Sequence, residues 1–133
     1  MIPPRVAALV FAGLTDVVIL FQLALAAGLP WGEYAMGGAF PGAYPPPMRV
    51  AAVVQALILA GVGLVVLVRA GVVWPQRSGA MRWPMRAVVA ISALGAVLNV
   101  ITPSAVERMI WAPVTIVMFL CALRVAWAAE RQA

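Results

Sequence analysis

Residues 48–69 read MRVAAVVQALILAGVGLVVLVR. No charge interrupts the run between Arg49 and Arg69, and Gln55 is the one strongly polar side chain inside it. A helix of about 20 apolar residues crosses the hydrocarbon core of a bilayer, and it satisfies every backbone N–H and C=O internally, which lipid cannot do for it. The Pro45-Pro46-Pro47 run in front of this segment ends whatever precedes it. Working outward, three more segments of the same kind are predicted, giving spans at about 6–29, 48–68, 84–101 and 105–128 of one transmembrane domain covering the 133 residues. A chain that is 65% hydrophobic and 10% charged, with a mean hydropathy of +1.06, lacks the residues to build a water-soluble surface. The expected fold is therefore all-α, an integral membrane four-helix bundle.

Helix ends are marked by local chemistry. The first span opens just after Pro3 and Pro4, tolerated there because the first-turn N–H has no partner, and it closes at Gly28 and Pro30. Ser104-Ala-Val-Glu107 is an S-x-x-E capping box: Ser104 should accept the N3 amide while Glu107 reaches back. Thr102-Pro103 ends the third span, so spans three and four should pack antiparallel across a tight connection. Small residues at helical spacing, Ala52, Ala56, Ala60 and Gly63 on the second span and Ser92, Gly95 and Asn99 on the third, predict close helix contacts. Met1-Ile-Pro-Pro-Arg5 before an apolar run imitates a signal peptide. The length of the run favours a retained span, with cleavage near Ala24, Ala26, Ala27 and Gly28 as the alternative.

All nine basic residues are arginine, giving a net charge of +5. In a four-span arrangement one side carries Arg5, Arg69, Arg77, Arg82, Arg86, Arg124 and Arg131, and the other only Arg49 and Arg108. That asymmetry marks topology anchors, as opposed to a nucleic-acid patch, and predicts both termini in the cytoplasm of a multi-pass protein of the bacterial cytoplasmic membrane. Trp31 and Trp111 would form an outer aromatic belt, and Trp74, Trp83 and Trp127 an inner one. Histidine is absent and Cys121 is the single cysteine, which excludes haem, His-ligated zinc or copper, and dithiol redox chemistry. No cofactor and no metal is expected.

Several polar residues are out of place in such a chain. Asp16 lies about ten residues into the first span, roughly 15 Å deep. A carboxylate there costs about 2.5–3.5 kcal/mol, so compensation is expected, with Arg124 as one candidate partner. It is a proton-coupling candidate or a paired acid that fixes packing. Gln22, Gln55, Asn99, Trp111 and Thr115 all fall in the outer half on four different helices. They line a shared outward pocket if they converge, and otherwise act as interhelical glue worth about 0.6 kcal/mol apiece. Pro113 inside the fourth span frees the Met109 carbonyl nearby. The loop at 30–47 carries Trp31, Tyr34, Phe40 and Tyr44 among glycines and prolines, a composition that predicts an ordered cap over the outer helix ends. Glu33 is its only charge, and a pair with Arg49, joined by Glu107 and Arg108, would pin it.

The pattern Pro30-Trp31-Gly32-Glu33, Gly37-Gly38, Arg49, Asn99, Thr102-Pro103-Ser104, Glu107-Arg108 and Trp111-Ala112-Pro113 resembles small uncharacterised bacterial four-span membrane proteins. The resemblance implies the architecture and no activity. Quinone-reducing thiol enzymes need paired cysteines that this chain lacks. Small multidrug exporters share the size and a first-span acid, but have short loops. Sterol-isomerase-like bundles pair membrane carboxylates with tryptophan, loosely echoed in Glu33, Glu107 and Trp111.

Three functions fit these residues. The first is a bundle that binds a lipid-like or amphiphilic ligand through Gln22, Glu33, Arg49, Gln55, Asn99, Glu107, Trp111 and Thr115, or that serves as an accessory subunit of a membrane complex. The second is an isomerase or cyclase with Glu33 or Glu107 as acid-base and Trp111 stabilising a cation. The third is a proton-coupled transporter using Asp16 as a homodimer. Membrane lipids are the expected surroundings throughout.

Overall fold

The computed structural model describes residues 1–131. Four long helices, α1 (Pro4–Ala26), α2 (Pro46–Arg69), α3 (Arg82–Ile101) and α4 (Ala105–Arg131), account for most of the chain, with short 3-10 turns in the two longer connections. Each helix is long and apolar enough to cross a membrane. The predicted all-α four-span fold is what the chain forms.

The helices alternate in direction. α1 packs against α2 and α4, α4 packs against α1 and α3, and the seam between α2 and α3 is thinner. The helix ends that carry the two termini share one end of the bundle, where the Arg124 Nε donates to the Ile2 carbonyl at 2.8 Å. Arg5, Arg69, Arg77, Arg82, Arg86, Arg124 and Arg131 gather at this end, and Arg49 and Arg108 lie at the other.

Two glycines set the helix ends. Gly28 (φ +98°) and Gly71 (φ +73°) take the left-handed conformation that follows a helix. Beyond α1, Gly28 N–H donates to Leu25 O and Leu29 N–H to Ala24 O, both at 3.1 Å. Beyond α2, Gly71 N–H and Val72 N–H repeat the pattern onto Val68 O and Leu67 O. These are Schellman caps, and they explain why α1 stops at Ala26, short of the expected Leu29: the chain has already reversed at Gly28.

The main core lies toward the arginine-rich end. Phe11 of α1 is fully buried among Ala7, Ala8, Val66, Met85, Cys121, Ala122 and Val125, the alanines leaving room for the larger side chains. A second cluster at the opposite end joins Leu25, Tyr44 and Ala52. The small-residue stripes are only partly used. Ala52, Ala56 and Gly63 are buried, whereas Ala60 faces outward, because two i+4 steps from Ala52 turn about 80° around a helix of 3.6 residues per turn. On α3, nothing stands within 4 Å of where a Gly95 side chain would begin, so Gly95 makes no close helix contact.

Candidate functional site

The loop between α1 and α2 is ordered into two 3-10 turns, Gly32–Tyr34 and Met36–Gly38, and is held at both sides. Its own closure depends on Gly32, whose N–H donates to Gly42 O at 2.9 Å and where a Cβ would overlap the Phe40 carbonyl. The loop is fastened to the start of α4 by three side chains. The buried Glu107 carboxylate accepts the Gly37 N–H at 2.9 Å and the Thr102 hydroxyl at 3.0 Å through the same oxygen, Oε2. Trp111 Nε1 donates to Tyr34 O at 2.9 Å, and Ser104 Oγ donates to Glu33 O at 3.4 Å. The Phe21 ring lies against both Trp31 (6.4 Å, stacked) and Trp111 (4.9 Å, tilted), joining α1, loop and α4 through aromatic faces.

This arrangement corrects the capping box. Ser104 Oγ accepts the Glu107 N–H at 3.2 Å as expected, but Glu107 does not return to the Ser104 N–H, which turns to Thr102 Oγ1 at 3.4 Å. Gly37, with φ +67°, presents an N–H that only this carboxylate reaches, and Thr102 replaces Glu107 as the local cap. Trp111 is likewise committed: its N–H serves the loop and its ring packs on Phe21 of α1.

The expected Glu33–Arg49 pair is absent. Arg49 Nε donates to Tyr44 O at 2.8 Å, and its guanidinium lies 3.0–3.2 Å from where a Gly28 side chain would stand. Arg49 therefore tucks over the cap of α1 and holds the loop's last turn. Glu33 stays exposed beside Tyr34, where its carboxylate raises the Tyr34 pKa above 10.0. Tyr44 is raised as well, first by burial and then by the Glu107 charge. Among the described residues the one ion pair is Arg86–Glu130, at 3.1 Å and half-exposed.

The outer amides do not share a network. Asn99 Nδ2 donates to Gly95 O at 2.7 Å, four residues back on its own helix. Thr115 Oγ1 donates to the carbonyls of Trp111 (2.8 Å) and Ala112 (3.2 Å), beside Pro113. Gln22 is half-buried and Gln55 exposed. Under the loop, Tyr44, Leu25 and Ala52 fill the space between α1 and α2. Cavities of about 400 and 380 Å³ lie at the opposite, arginine-rich end.

Asp16 sits near the middle of α1 and faces outward. Its neighbour Thr15 points inward, fully buried, with its hydroxyl donating to Phe11 O at 2.7 Å and its methyl facing Gly63 of α2. Successive helical residues diverge by about 100°, so the inward Thr15 turns Asp16 toward the lipid side. The expected Arg124 partner is not there, because Arg124 is drawn to the Ile2 carbonyl at the bundle end. Sequence reasoning had also passed over Arg69 as a site residue: it is 8% exposed, with Nη1 donating to Ser78 O at 2.9 Å while Ser78 Oγ returns to Arg69 O at 2.8 Å. Compared with protein-family models, curated proteins and solved structures, the chain matches none, so the motif resemblance assigns no family.

Proposed function

We propose that the chain is an accessory subunit of a bacterial cytoplasmic-membrane assembly, with its arginine-rich end in the cytoplasm, and that it docks its partner through the face of α1 carrying Asp16. The single observation behind this reading is an acid, exposed halfway along a spanning helix, with no partner in its own bundle. Its surroundings on that face are apolar and protruding: Leu9 (55% exposed) lies two turns before it and Leu20 (66%) one turn after it. Gly13 between them has nothing within 4 Å of its Cβ position, which lets a second helix approach closely. Facing lipid, Asp16 costs about 2.5–3.5 kcal/mol, and a partner helix that offers it a hydrogen-bond donor or a positive charge removes that cost. The cytoplasmic assignment follows the arginine asymmetry, and the exposed Trp74, Trp83 and Trp127 suit a membrane interface at that end.

The other functions draw less support. Glu107 and Trp111 are engaged in holding the loop, which leaves the exposed Glu33 as the uncommitted acid for an isomerase or cyclase. A lipid-like ligand under the loop would have to displace Tyr44, Leu25 and Ala52. Proton coupling at Asp16 shares the key observation and is the second reading.

The test is extraction of tagged full-length chain in a mild detergent, with sizing and identification of what accompanies it. A larger complex is expected for the wild type and for Asp16→Asn, which keeps a hydrogen-bonding side chain, and its loss for Asp16→Leu. Wild-type chain that emerges alone overturns docking. Abolition of proton-dependent flux by Asp16→Asn, with the complex intact, transfers Asp16 to the transport reading.

A further inference from the structure

At the arginine-rich end, the cavity of about 400 Å³ is bounded by Pro3 and Pro4 at the start of α1, Arg5, Arg69 and Gly71 at the end of α2, and Ser78. Two guanidinium groups line one cavity, and each is fixed by a backbone carbonyl: Arg69 Nη1 on Ser78 O (2.9 Å) and Arg5 Nη2 on Gly71 O (3.1 Å). Those bonds use one nitrogen apiece, and a guanidinium has five N–H donors. Among the described residues no carboxylate balances them. Of the four acids in the chain, Glu130 is paired with Arg86, Asp16 is midway along α1, and Glu33 and Glu107 are at the opposite end.

Arginine stays charged at any pH the protein meets, so two arginines beside one cavity repel each other until an anion enters. The first turn of α1 adds to the field. Its N-cap is Pro3, with no side-chain cap, and the positive end of the helix dipole opens on the same space. The carbonyls at the end of α2 are taken up by the Schellman cap and the Ser78 hydroxyl, and Arg5 takes the Gly71 carbonyl just beyond it. Arg69 is buried, with Nη1 tied to the Ser78 carbonyl while the Ser78 hydroxyl returns to the Arg69 backbone carbonyl, so its guanidinium is in place before a ligand arrives.

We propose that this cavity binds a phosphate group, gripped between the Arg5 and Arg69 guanidiniums. Its place at the helix ends sets it at headgroup depth, so the phosphate comes from an anionic phospholipid or from a soluble phosphate. Planar guanidiniums match phosphate oxygens two at a time, which a general positive surface does not. The site is independent of the docking face on α1.

The test follows thermal unfolding of the full-length chain in non-ionic detergent with three additions: phosphatidylglycerol, phosphatidylcholine, or inorganic phosphate against chloride at matched ionic strength. Phosphatidylglycerol or inorganic phosphate is expected to raise the midpoint by several degrees, with phosphatidylcholine inactive. A shift with the lipid alone identifies the headgroup, and an equal shift with inorganic phosphate identifies the soluble group. Arg5→Gln should abolish the shift and Arg5→Lys should weaken binding about tenfold, since an ammonium keeps the charge and loses the fork. Arg131→Gln removes the same charge outside the cavity and should leave the shift intact. No shift from either phosphate source, or equal losses in Arg5→Gln and Arg131→Gln, overturns the proposal.

Discussion

At the scale of single residues, Glu107 decides how the outer end is built. One carboxylate oxygen accepts from the loop and from the α3–α4 connection, in a buried position where an unmet donor is costly. Glu107→Ala is expected to destabilise the chain by about 3 kcal/mol, the sum of two charge-assisted bonds. Glu107→Gln keeps a carbonyl oxygen in place and should cost about 1 kcal/mol. Unfolding midpoints in detergent distinguish the two. An acid-base catalyst would instead lose function equally in both. Gly32→Ala should cost about 1–3 kcal/mol, because the Phe40 carbonyl it would strike is backbone and must move with the loop.

At the scale of elements, the loop is the piece whose stability responds to pH. Tyr44 is raised above its ordinary 10.0 by burial and by the Glu107 charge, and Tyr34 is raised by Glu33. A phenol whose folded pKa lies above its unfolded one holds its proton more tightly in the fold. Its contribution is complete below pH 10 and is lost as pH rises through the folded value. Unfolding midpoints should therefore fall with pH above 10, and less steeply in Tyr44→Phe; equal slopes in the two proteins refute the assignment.

For the whole molecule, the asymmetry between the ends is the main property. One end holds the main core, most arginines and the cavities of about 400 and 380 Å³; the other holds a smaller core cluster and the stapled loop. With the arginine-rich end in the cytoplasm, Ala39→Cys in the loop should react with a membrane-impermeant maleimide on intact bacterial cells. Gln76→Cys, exposed at the opposite end, should react only after lysis. The buried Cys121 gives little background. The reverse pattern would invert the topology and move the phosphate cavity to the outside.

The sequence by itself determined four spans, the Ser104 cap of the fourth, the gathering of arginines at one end and the ordered loop. These follow from local chemistry: apolar length, proline and glycine at the breaks, and the Ser104 cap. It also identified Glu107, Trp111 and Asp16 as the residues whose polarity needed an explanation. Their partners were settled only by tertiary structure. Glu107 prefers Gly37, seventy positions away, to its own helix end. Arg49 leaves Glu33 for the Tyr44 carbonyl. Arg124 is held at the bundle end, and Asp16 is left facing out. A helical pattern fixes which residues share a face, but a bundle may be rotated about each helix axis at small local cost. Packing of Phe11, Thr15 and Gly63 chose the rotation, and with it the face on which Asp16 lies and the cavity that Arg5 and Arg69 enclose.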